Sequence, residues 1–419
     1  MSLKKKPVNG MKDILPKEME IRDYVTGVIK DTYRKFGFTP IETPCMESIE
    51  NLTGKNGGEN EKLIFKVLKR GEKLKLEEAT KEEDVVDYGM RYDLTVPLSR
   101  YYANHENDLP NPFKALQIGS VWRADRPQRG RYRQFTQCDI DIIGEPTNLA
   151  EIELISATTT TLGKLGFKNF EIRINDRRIL KAMADYAGFP EDDYDEVFII
   201  LDKMDKIGLD GVKEELVEMG IPEENVSKYV SLFDGLENNR DVKSGMAFLK
   251  DALGDALSDD VIDWMDEISI SVNASKSADF ELVFDPTLVR GMGYYTGTIF
   301  EIAIPEFGGS CGGGGRYDKM VGKFIGHDVP ACGFSIGFER IILLLMESGF
   351  EIPEAPAKVA YLVEKKYPAE KLVDVMAKAK EARDNGQQVL VVRMNKNKKF
   401  QKEQLEKDGY KEFVEFFNK

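Results

Sequence analysis

Histidine and cysteine are scarce in this chain of 419 residues. It has two histidines, His105 and His327, so a histidine-ligated metal site or a Ser-His-Asp triad has almost nothing to draw on. The four cysteines lie far apart and form no CxxC pair, which argues against a zinc or dithiol site and favours a structural role for each. Any chemistry is therefore expected to use carboxylates, arginines and tyrosines.

Long apolar runs and a Walker loop are also missing. The longest apolar stretches, such as residues 341–346, are far shorter than the roughly 20 residues that a membrane-spanning helix needs. The first residues, MSLKKKP, contain no apolar signal region. We therefore expect a cytoplasmic protein without a membrane partner. No GxxxxGK[ST] sequence occurs, and the glycine run 312–315 on its own is typical of a tight turn or a close backbone approach.

Acidic residues outnumber basic ones, with 73 Asp and Glu against 59 Lys and Arg and a net charge of −14. This balance disfavours non-specific nucleic-acid binding, because counterion release requires clustered Lys and Arg. Residues 123–133, however, hold five arginines and one acid, and residues 393–411 hold seven Lys or Arg and three acids. Two basic patches are consistent with a partner that binds at two places, although the run at 393–411 is equally consistent with a solvent-exposed face.

The order of periodic segments predicts an α+β fold. Apolar residues at helical spacing predict a helix at 17–36, and the proline-bounded segment FTPIETP after it predicts an edge strand. Further extended segments suggest an antiparallel sheet flanked by helices; they lie at 63–68, 113–122, 133–143 and 298–304. The predicted domains are a core at 1–174 and 278–350, a helical insertion domain at 175–277 and a small C-terminal α/β domain at 357–419.

One predicted strand carries a polar face. The segment VWRADRPQRGRYRQFTQCDIDIIG (121–144) is typical of a strand, an arginine-rich loop and a second strand. The two-residue period of the second strand places Arg133, Phe135, Gln137, Asp139 and Asp141 on one face. Such a face is costly to bury without a ligand, although a water-exposed antiparallel face is the alternative.

Two other segments could contribute to a site. LVRGMGYYTGTIFEIAI (288–304) holds Arg290, Tyr294 and Tyr295 in a glycine-bracketed bend, and a guanidinium with two phenols can bind phosphate oxygens and polar ring atoms. GFSIGFERIILLLM (333–346) carries Arg340 in the early turns of an apolar helix, where an arginine is expected to cap or line a cleft.

Together these segments resemble the class II aminoacyl-tRNA synthetases, and most closely the histidyl-tRNA synthetase family. The first helix and its proline-bounded strand resemble the dimer-forming first motif, VWRADRPQRGRYRQF the second and GFSIGFERI the third. RYDLTVP (91–97), LVRGMGYYTG and GGGGRYD (312–318) resemble segments particular to the histidine enzyme. The resemblance extends from NGMKDILP (9–16) to the last segment, and the motifs occur in the family's order.

The resemblance implies ligands for each substrate. The implied histidine ligands are Asp93, Thr95, Arg123, Gln137, Asp141, Arg290, Tyr294, Tyr295 and Tyr317. The implied ATP ligands are Arg123, Asp125, Arg131, Phe135 and Arg340. Asp93, Thr95 and Gln137 would hold the α-amino group, while Asp141 and Tyr295 would read the imidazole. Arg123 and Arg290 would be the catalytic residues, because they would contact the substrate carboxylate and the α-phosphate. Asp125 would contact the adenosine or a metal, and no set of metal ligands is implied.

The implied reaction is activation of L-histidine by ATP, with Mg²⁺, to histidyl-adenylate and pyrophosphate, followed by transfer to the 3′ end of tRNA(His). Positioning and charge neutralisation by arginines would drive it, so the scarcity of histidine is no objection. The loop 126–130 would approach the tRNA acceptor end, the C-terminal unit resembles an anticodon-binding domain, and the protein would be a homodimer.

Two alternatives stay open. The regulatory subunit of ATP phosphoribosyltransferase resembles the same core and senses histidine without charging tRNA, but it usually lacks the loop arginines and the C-terminal domain. A class II synthetase for another amino acid is opposed by RYDLTVP and GMGYYTG. The chain departs from the family at Gly293, where an acid is usual, and in a C-terminal unit that is shorter than the resemblance implies. Asp125 and Asp141 stand where some members have Glu.

Overall fold

The computed structural model describes residues 3–53, 59–289 and 294–418. The chain divides into two compact units. The larger unit contains Arg22–Ser348 with the N-terminal residues to Ile14, and the smaller contains Leu15–Ile21 and Gly349–Lys419. In the described ranges no helix is long and apolar enough to cross a membrane.

Helices and strands alternate irregularly along the described parts of the chain. The α-helices are α1 Pro16–Lys35, α2 Ile49–Leu52, α3 Thr95–His105, α4 Leu149–Lys164, α5 Arg177–Ala187, α6 Tyr194–Leu201, α7 Met204–Glu218, α8 Glu223–Leu236, α9 Val242–Leu253, α10 Asp259–Ala274, α11 Asp318–Ile325, α12 Phe338–Glu347, α13 Ala369–Asp384 and α14 Lys398–Lys407. The strands are β1 Thr39–Pro40, β2 Met46–Ser48, β3 Lys66–Leu68, β4 Val86–Met90, β5 Phe113–Trp122, β6 Gln134–Ile143, β7 Phe170–Asp176, β8 Phe280–Phe284, β9 Thr298–Ile304, β10 Gly309–Arg316, β11 Ala331–Ile336, β12 Lys358–Val363, β13 Gln388–Arg393 and β14 Glu412–Phe416.

The larger unit is organised around a mixed sheet with the order β1-β5-β6-β11-β10-β9-β7-β8. This confirms the predicted α+β class, and β1, which contains Pro40, is an edge strand as predicted. The inner pairs are antiparallel, whereas β1 with β5 and β7 with β8 are parallel. The prediction of an antiparallel sheet therefore holds for the inner strands only. Parallel neighbours need a long crossover, and the helices α5 to α10 supply it between β7 and β8.

The helical segment between β7 and β8 begins and turns at recognisable residues. Asp176 caps α5 by accepting the amide of Arg178 at 2.8 Å, and Asp241 caps α9 by accepting the amides of Lys243 and Ser244. Gly208, at φ 70°, gives α7 a non-helical step that a residue with a side chain would resist. The described helices fit the predicted helical character of this segment, and the boundaries of the predicted domains stay a prediction.

Two smaller sheets complete the described structure. β2, β4 and β3 form an antiparallel sheet that precedes α3 in the larger unit. In the smaller unit, β12 lies between β13 and β14, and both pairs are parallel. The connections through α13 and α14 make this unit an alternating β/α fold, as its sequence pattern predicts.

Two buried ion pairs fix the helices that border the central sheet. Arg22 of α1 donates to both carboxylate oxygens of Glu339 at 2.7 and 2.9 Å, and Glu339 also accepts the amide of Thr136 on β6 at 3.1 Å. Arg316 at the end of β10 makes an equivalent two-bond contact with Glu151 of α4. Because both carboxylates are buried, removal of one partner would leave the other charge uncompensated.

Candidate active site

The candidate site lies on one face of the central strands β5, β6 and β11. Their register pairs Gly119 with Gln137, and it pairs Asp139 and Asp141 of β6 with Ser335 and Gly333 of β11. Antiparallel partners point to the same face, so these side chains form one surface, as the alternation in the sequence predicts. Phe135 and Asp141 are six positions apart on β6, about 20 Å at 3.3 Å per residue, which is enough length for two adjacent ligands.

Asp141 is the deepest acid of this face. Its Oδ1 accepts a hydrogen bond from the hydroxyl of Tyr317 at 2.6 Å, and no described group donates to its buried Oδ2. A Cβ on Gly333 would lie 2.0 Å from Oδ1, so glycine at that position provides the space for the carboxylate. Asp141 can therefore accept one further hydrogen bond from a ligand that carries an N–H or O–H group.

Tyrosine rings form a wall next to Asp141. The ring centroids of Tyr294 and Tyr295 are 4.6 Å apart, and those of Tyr294 and Tyr317 are 6.3 Å apart in an edge-on arrangement. A Cβ on Gly315 would lie 3.1 Å from the Tyr295 ring, so the absence of a side chain at this position leaves room for the ring. The predicted residues Tyr294, Tyr295, Tyr317 and Asp141 are thus brought together.

The segment RYDLTVP places a second acid at the same surface. The Asp93 carboxylate accepts the amide of Val96 at 3.1 Å and so holds the first turn of α3, which begins at Thr95. Arg123 donates through Nε to the carbonyl of Tyr92 at 2.7 Å, which fixes its guanidinium at this end of the segment. The guanidinium lies over the Phe135 ring at 5.2 Å. Asp93, Arg123 and Phe135 therefore line one continuous stretch of the face.

The carboxyl groups of the site have perturbed pKa values. Burial raises the pKa of Asp139 from 3.8 to about 7, and hydrogen bonds from Ser335 and Gln137 oppose the shift. Burial, followed by repulsion from Asp139, raises the pKa of Asp141 well above its usual range. Burial also raises the pKa of Asp93, against the attraction of Arg123. These three buried acids repel one another, which makes their ionised forms costly. A cationic ligand beside them would lower their pKa values and so favour the ionised forms.

The loop between β5 and β6 holds the other predicted ligands. Arg131 pairs with Asp125 at 3.0 Å, and the Arg131 side chain is 43% exposed, so it can still reach a ligand. Gly10 lies against Arg133 and Pro127, and its carbonyl accepts the amide of Arg133 at 2.8 Å. The N-terminal segment thus supports the base of this arginine-rich loop.

The tip of the loop contacts α12 and the turn between β9 and β10. Arg340 donates to the carbonyl of Ser310, and its guanidinium lies 5.2 Å from the ring of Phe307. Arg129 lies over the same ring at 5.3 Å and pairs with Glu347. The prediction placed Arg340 in a cleft but did not find Phe307, because an aromatic residue in a turn gives no signal in the sequence.

Comparison with known proteins shows the family of this chain. The family model described as "Histidyl-tRNA synthetase" matches residues 10–341. The histidine–tRNA ligase of Leifsonia xyli subsp. xyli is 43% identical over 97% of this chain and 94% of its own length. The chain belongs to the histidyl-tRNA synthetase family. The histidine–tRNA ligase of Christiangramia forsetii is 39% identical over 81% of this chain and 76% of its own length.

Solved structures have the same fold. The crystal structure of histidyl-tRNA synthetase from Nostoc sp. PCC 7120 matches with a TM-score of 0.77 and 27% identity, and covers 97% of this chain and 90% of that one. An ATP phosphoribosyltransferase regulatory subunit/histidyl-tRNA synthetase from Bacillus halodurans matches with a TM-score of 0.78 at 20% identity over the whole of both chains, a likeness of fold alone.

The predicted family is thereby confirmed, whereas the roles of individual residues stay predictions. Arg290 and Gly293 lie outside the described residues, so the predicted catalytic role of Arg290 and the effect of Gly293 are carried forward from the sequence. Asp139 and Ser335 belong to the face but are missing from the predicted ligands. The alternation of β6 did place Asp139 on this face, but the resemblance gave it no role, whereas Ser335 reaches the face only through the pairing of β11.

Proposed function

We propose that this chain is a histidine–tRNA ligase that activates L-histidine with ATP and transfers it to tRNA(His). The observation that carries the proposal is a pair of buried acceptors, Asp141 Oδ2 and Gln137 Oε1, that no described donor reaches. L-Histidine offers both groups that such acceptors require, an ammonium and an imidazole N–H. An apolar competitor of similar size would leave the acceptors unpaired and would be rejected strongly.

The histidine side of the site would bind the substrate at both ends. Asp93, Thr95 and Gln137 would hold the ammonium group, and Asp141, aided by Tyr295 and Tyr317, would hold the imidazole. The hydrogen bond from Tyr317 to Asp141 orients the carboxylate before the ligand arrives. Because the three buried acids repel one another, binding of a cation would remove a cost that the ligand-free site carries.

The ATP side would lie nearer the loop. Phe135 would stack on the adenine, and Arg131 and Arg340 would contact the phosphates. Arg123 and Arg290 would contact the histidine carboxylate and the α-phosphate as that carboxylate attacks phosphorus and pyrophosphate leaves. Arg123 is already held by the carbonyl of Tyr92 and by the Phe135 ring, so it can stabilise developing charge without rearrangement.

Magnesium would enter with the phosphates of ATP. The described residues contain no group of three or more His, Cys, Asp or Glu that could hold a metal by themselves. That composition fits Mg²⁺, which usually keeps several waters and takes one or two carboxylates besides the phosphates. Asp125 is the carboxylate that would join it, in exchange for its present partner Arg131.

The macromolecular partners follow from the family. The loop 126–130 would approach the acceptor end of tRNA, and the C-terminal unit would contact the anticodon. We further propose a homodimer formed through α1 and β1, and a cytoplasmic location. Light scattering at micromolar concentration tests the dimer, and a monomer there would reject it.

Exchange of pyrophosphate into ATP, measured with each amino acid in turn and followed by charging of tRNA(His), tests the activity. Exchange with histidine alone supports the proposal. Asp141→Asn should abolish most of it, while Asp176→Asn, which removes a buried acid that caps α5, should retain it. Histidine binding without exchange would instead support the histidine-sensing regulatory subunit.

A further inference from the structure

Asp139 is a buried acid of the site for which no role has been assigned. It lies on β6 between Gln137 and Asp141, pairs with Ser335 of β11 and is 4% exposed. Because side chains alternate along β6, the Asp139 side chain lies on the same face as the predicted histidine ligands Gln137 and Asp141. The following inference rests on the proposed function, because it concerns how that face receives the substrate.

The contact that matters joins Asp139 to Gln137. The Gln137 Nε2 group donates to Asp139 Oδ2 at 3.2 Å and Oδ1 at 3.4 Å, and it also lies 3.4 Å from Ser335 Oγ. The other amide atom, Gln137 Oε1, is buried and receives no hydrogen bond from the described residues. Above its pKa of about 7 Asp139 is ionised, and an ionised carboxylate can only accept a hydrogen bond. In this form Asp139 selects the NH₂ end of the amide and leaves the oxygen for a ligand.

We propose that Asp139 is a positioning residue that fixes the amide orientation of Gln137, so that Gln137 Oε1 accepts a hydrogen bond from the substrate ammonium group. The charge-assisted hydrogen bond is stronger than one between neutral groups, and it acts in a buried environment. In the reverse orientation the NH₂ group would meet the ammonium with donor against donor. Asp139 therefore acts on histidine affinity through Gln137 and not as a direct ligand.

The isosteric variant Asp139→Asn tests the orientation. An asparagine presents both a donor and an acceptor, so both orientations of Gln137 become possible. Because an equal mixture of the two orientations halves the fraction of molecules that present Oε1 to the ligand, we expect the Kd for L-histidine, measured by calorimetry at pH 8, to rise at least about twofold. The KM for ATP should stay unchanged. Asp176→Asn is the control for loss of a buried acid on another strand of the same sheet, β7, and because Asp176 also pairs with Arg178, urea unfolding must show that this variant is folded.

A double-mutant cycle with Gln137→Ala separates positioning from a direct effect of charge. If Asp139 acts through Gln137 in addition to its charge, Asp139→Asn should raise the histidine Kd less in the Gln137→Ala background than in the unmodified protein. A penalty of the same size in both backgrounds would overturn the proposal and assign Asp139 a direct electrostatic role. An unchanged Kd in the single variant would also overturn it.

The outcomes distinguish this inference from the proposed function. Absence of histidine-dependent exchange in the unmodified protein would reject the function. Normal exchange with a normal histidine Kd in Asp139→Asn would reject only the role of Asp139. Loss of the fold is not expected in this variant, because it removes a buried charge that has no cationic partner in direct contact among the described residues.

Discussion

The substitution Asp139→Asn should make the larger unit more stable while it weakens histidine binding. Burial raises the pKa of Asp139 from 3.8 to about 7, so keeping this group ionised costs the folded state free energy. At 1.36 kcal/mol per pH unit, the cost above pH 7 is roughly 4 kcal/mol. An asparagine of the same shape carries no such cost.

The stability difference between Asp139→Asn and the unmodified protein should depend on pH. Between pH 3.8 and about 7 the folded chain binds the Asp139 proton more tightly than the unfolded chain, so its contribution to stability falls as the pH rises. Asparagine does not ionise, so the free energy of unfolding of Asp139→Asn does not fall for this reason. Its advantage over the unmodified protein should therefore be small near pH 4 and should grow by roughly 2 to 3 kcal/mol between pH 5 and pH 8.

Urea unfolding measured by tryptophan fluorescence is the assay. The two tryptophans, Trp122 and Trp264, both belong to the larger unit and report on it alone. A stability gain that does not change with pH, or a less stable variant at pH 8, would refute the assigned cost of ionising Asp139. Addition of L-histidine should reduce the difference, because a bound ammonium group compensates the charge that only the unmodified protein carries.

Other substitutions test the site and the packing around it. Gly333→Ala places a methyl group 2.0 Å from Asp141 Oδ1, so the KM for histidine should rise by about an order of magnitude with at most a small change in the KM for ATP. Tyr317→Phe should also raise the histidine KM about tenfold, because it removes the 2.6 Å hydrogen bond that orients Asp141. Gly27→Ala, in α1 with no atom within 4 Å of the new methyl, should stabilise the protein by about 0.5 to 1 kcal/mol in urea unfolding, and a loss would contradict the assigned helical environment. Arg22→Ala should destabilise it by about 3 to 5 kcal/mol, because its carboxylate partner stays buried, and an unchanged urea midpoint would disprove that role.

Local patterns predicted much of the polar face. The alternation of β6 is a property of neighbouring residues, so Gln137 and Asp141 could be placed on one surface before any partner strand was known. The parallel pairing of β7 with β8 could not be predicted in this way, because it joins residues more than 100 positions apart through a helical segment. The same limit applies to the contact between Gln137 and Ser335, which depends on the pairing of β6 with β11.

Prediction from the sequence also failed to assign roles to two residues of the site region. The resemblance supplied ligands only at positions where the family pattern assigns one, and it therefore passed over Asp139 although the residue lies between two predicted ligands. Phe307 gave no signal because its value depends on Arg129 and Arg340, two arginines brought to it by different elements. The contacts in the folded structure identify both Asp139 and Phe307.

The order of the central strands has a consequence for synthesis on the ribosome. β6 leaves the ribosome early, but its inner neighbour β11 is about 190 residues further along the chain, and Tyr317 precedes β11 only slightly. A nascent chain that ends before residue 331 therefore exposes the inner edge of β6 together with its acids. The completed hairpin of β5 and β6 must therefore wait with an open hydrogen-bonding edge until β11 is made, and such an edge can pair with a neighbouring nascent chain.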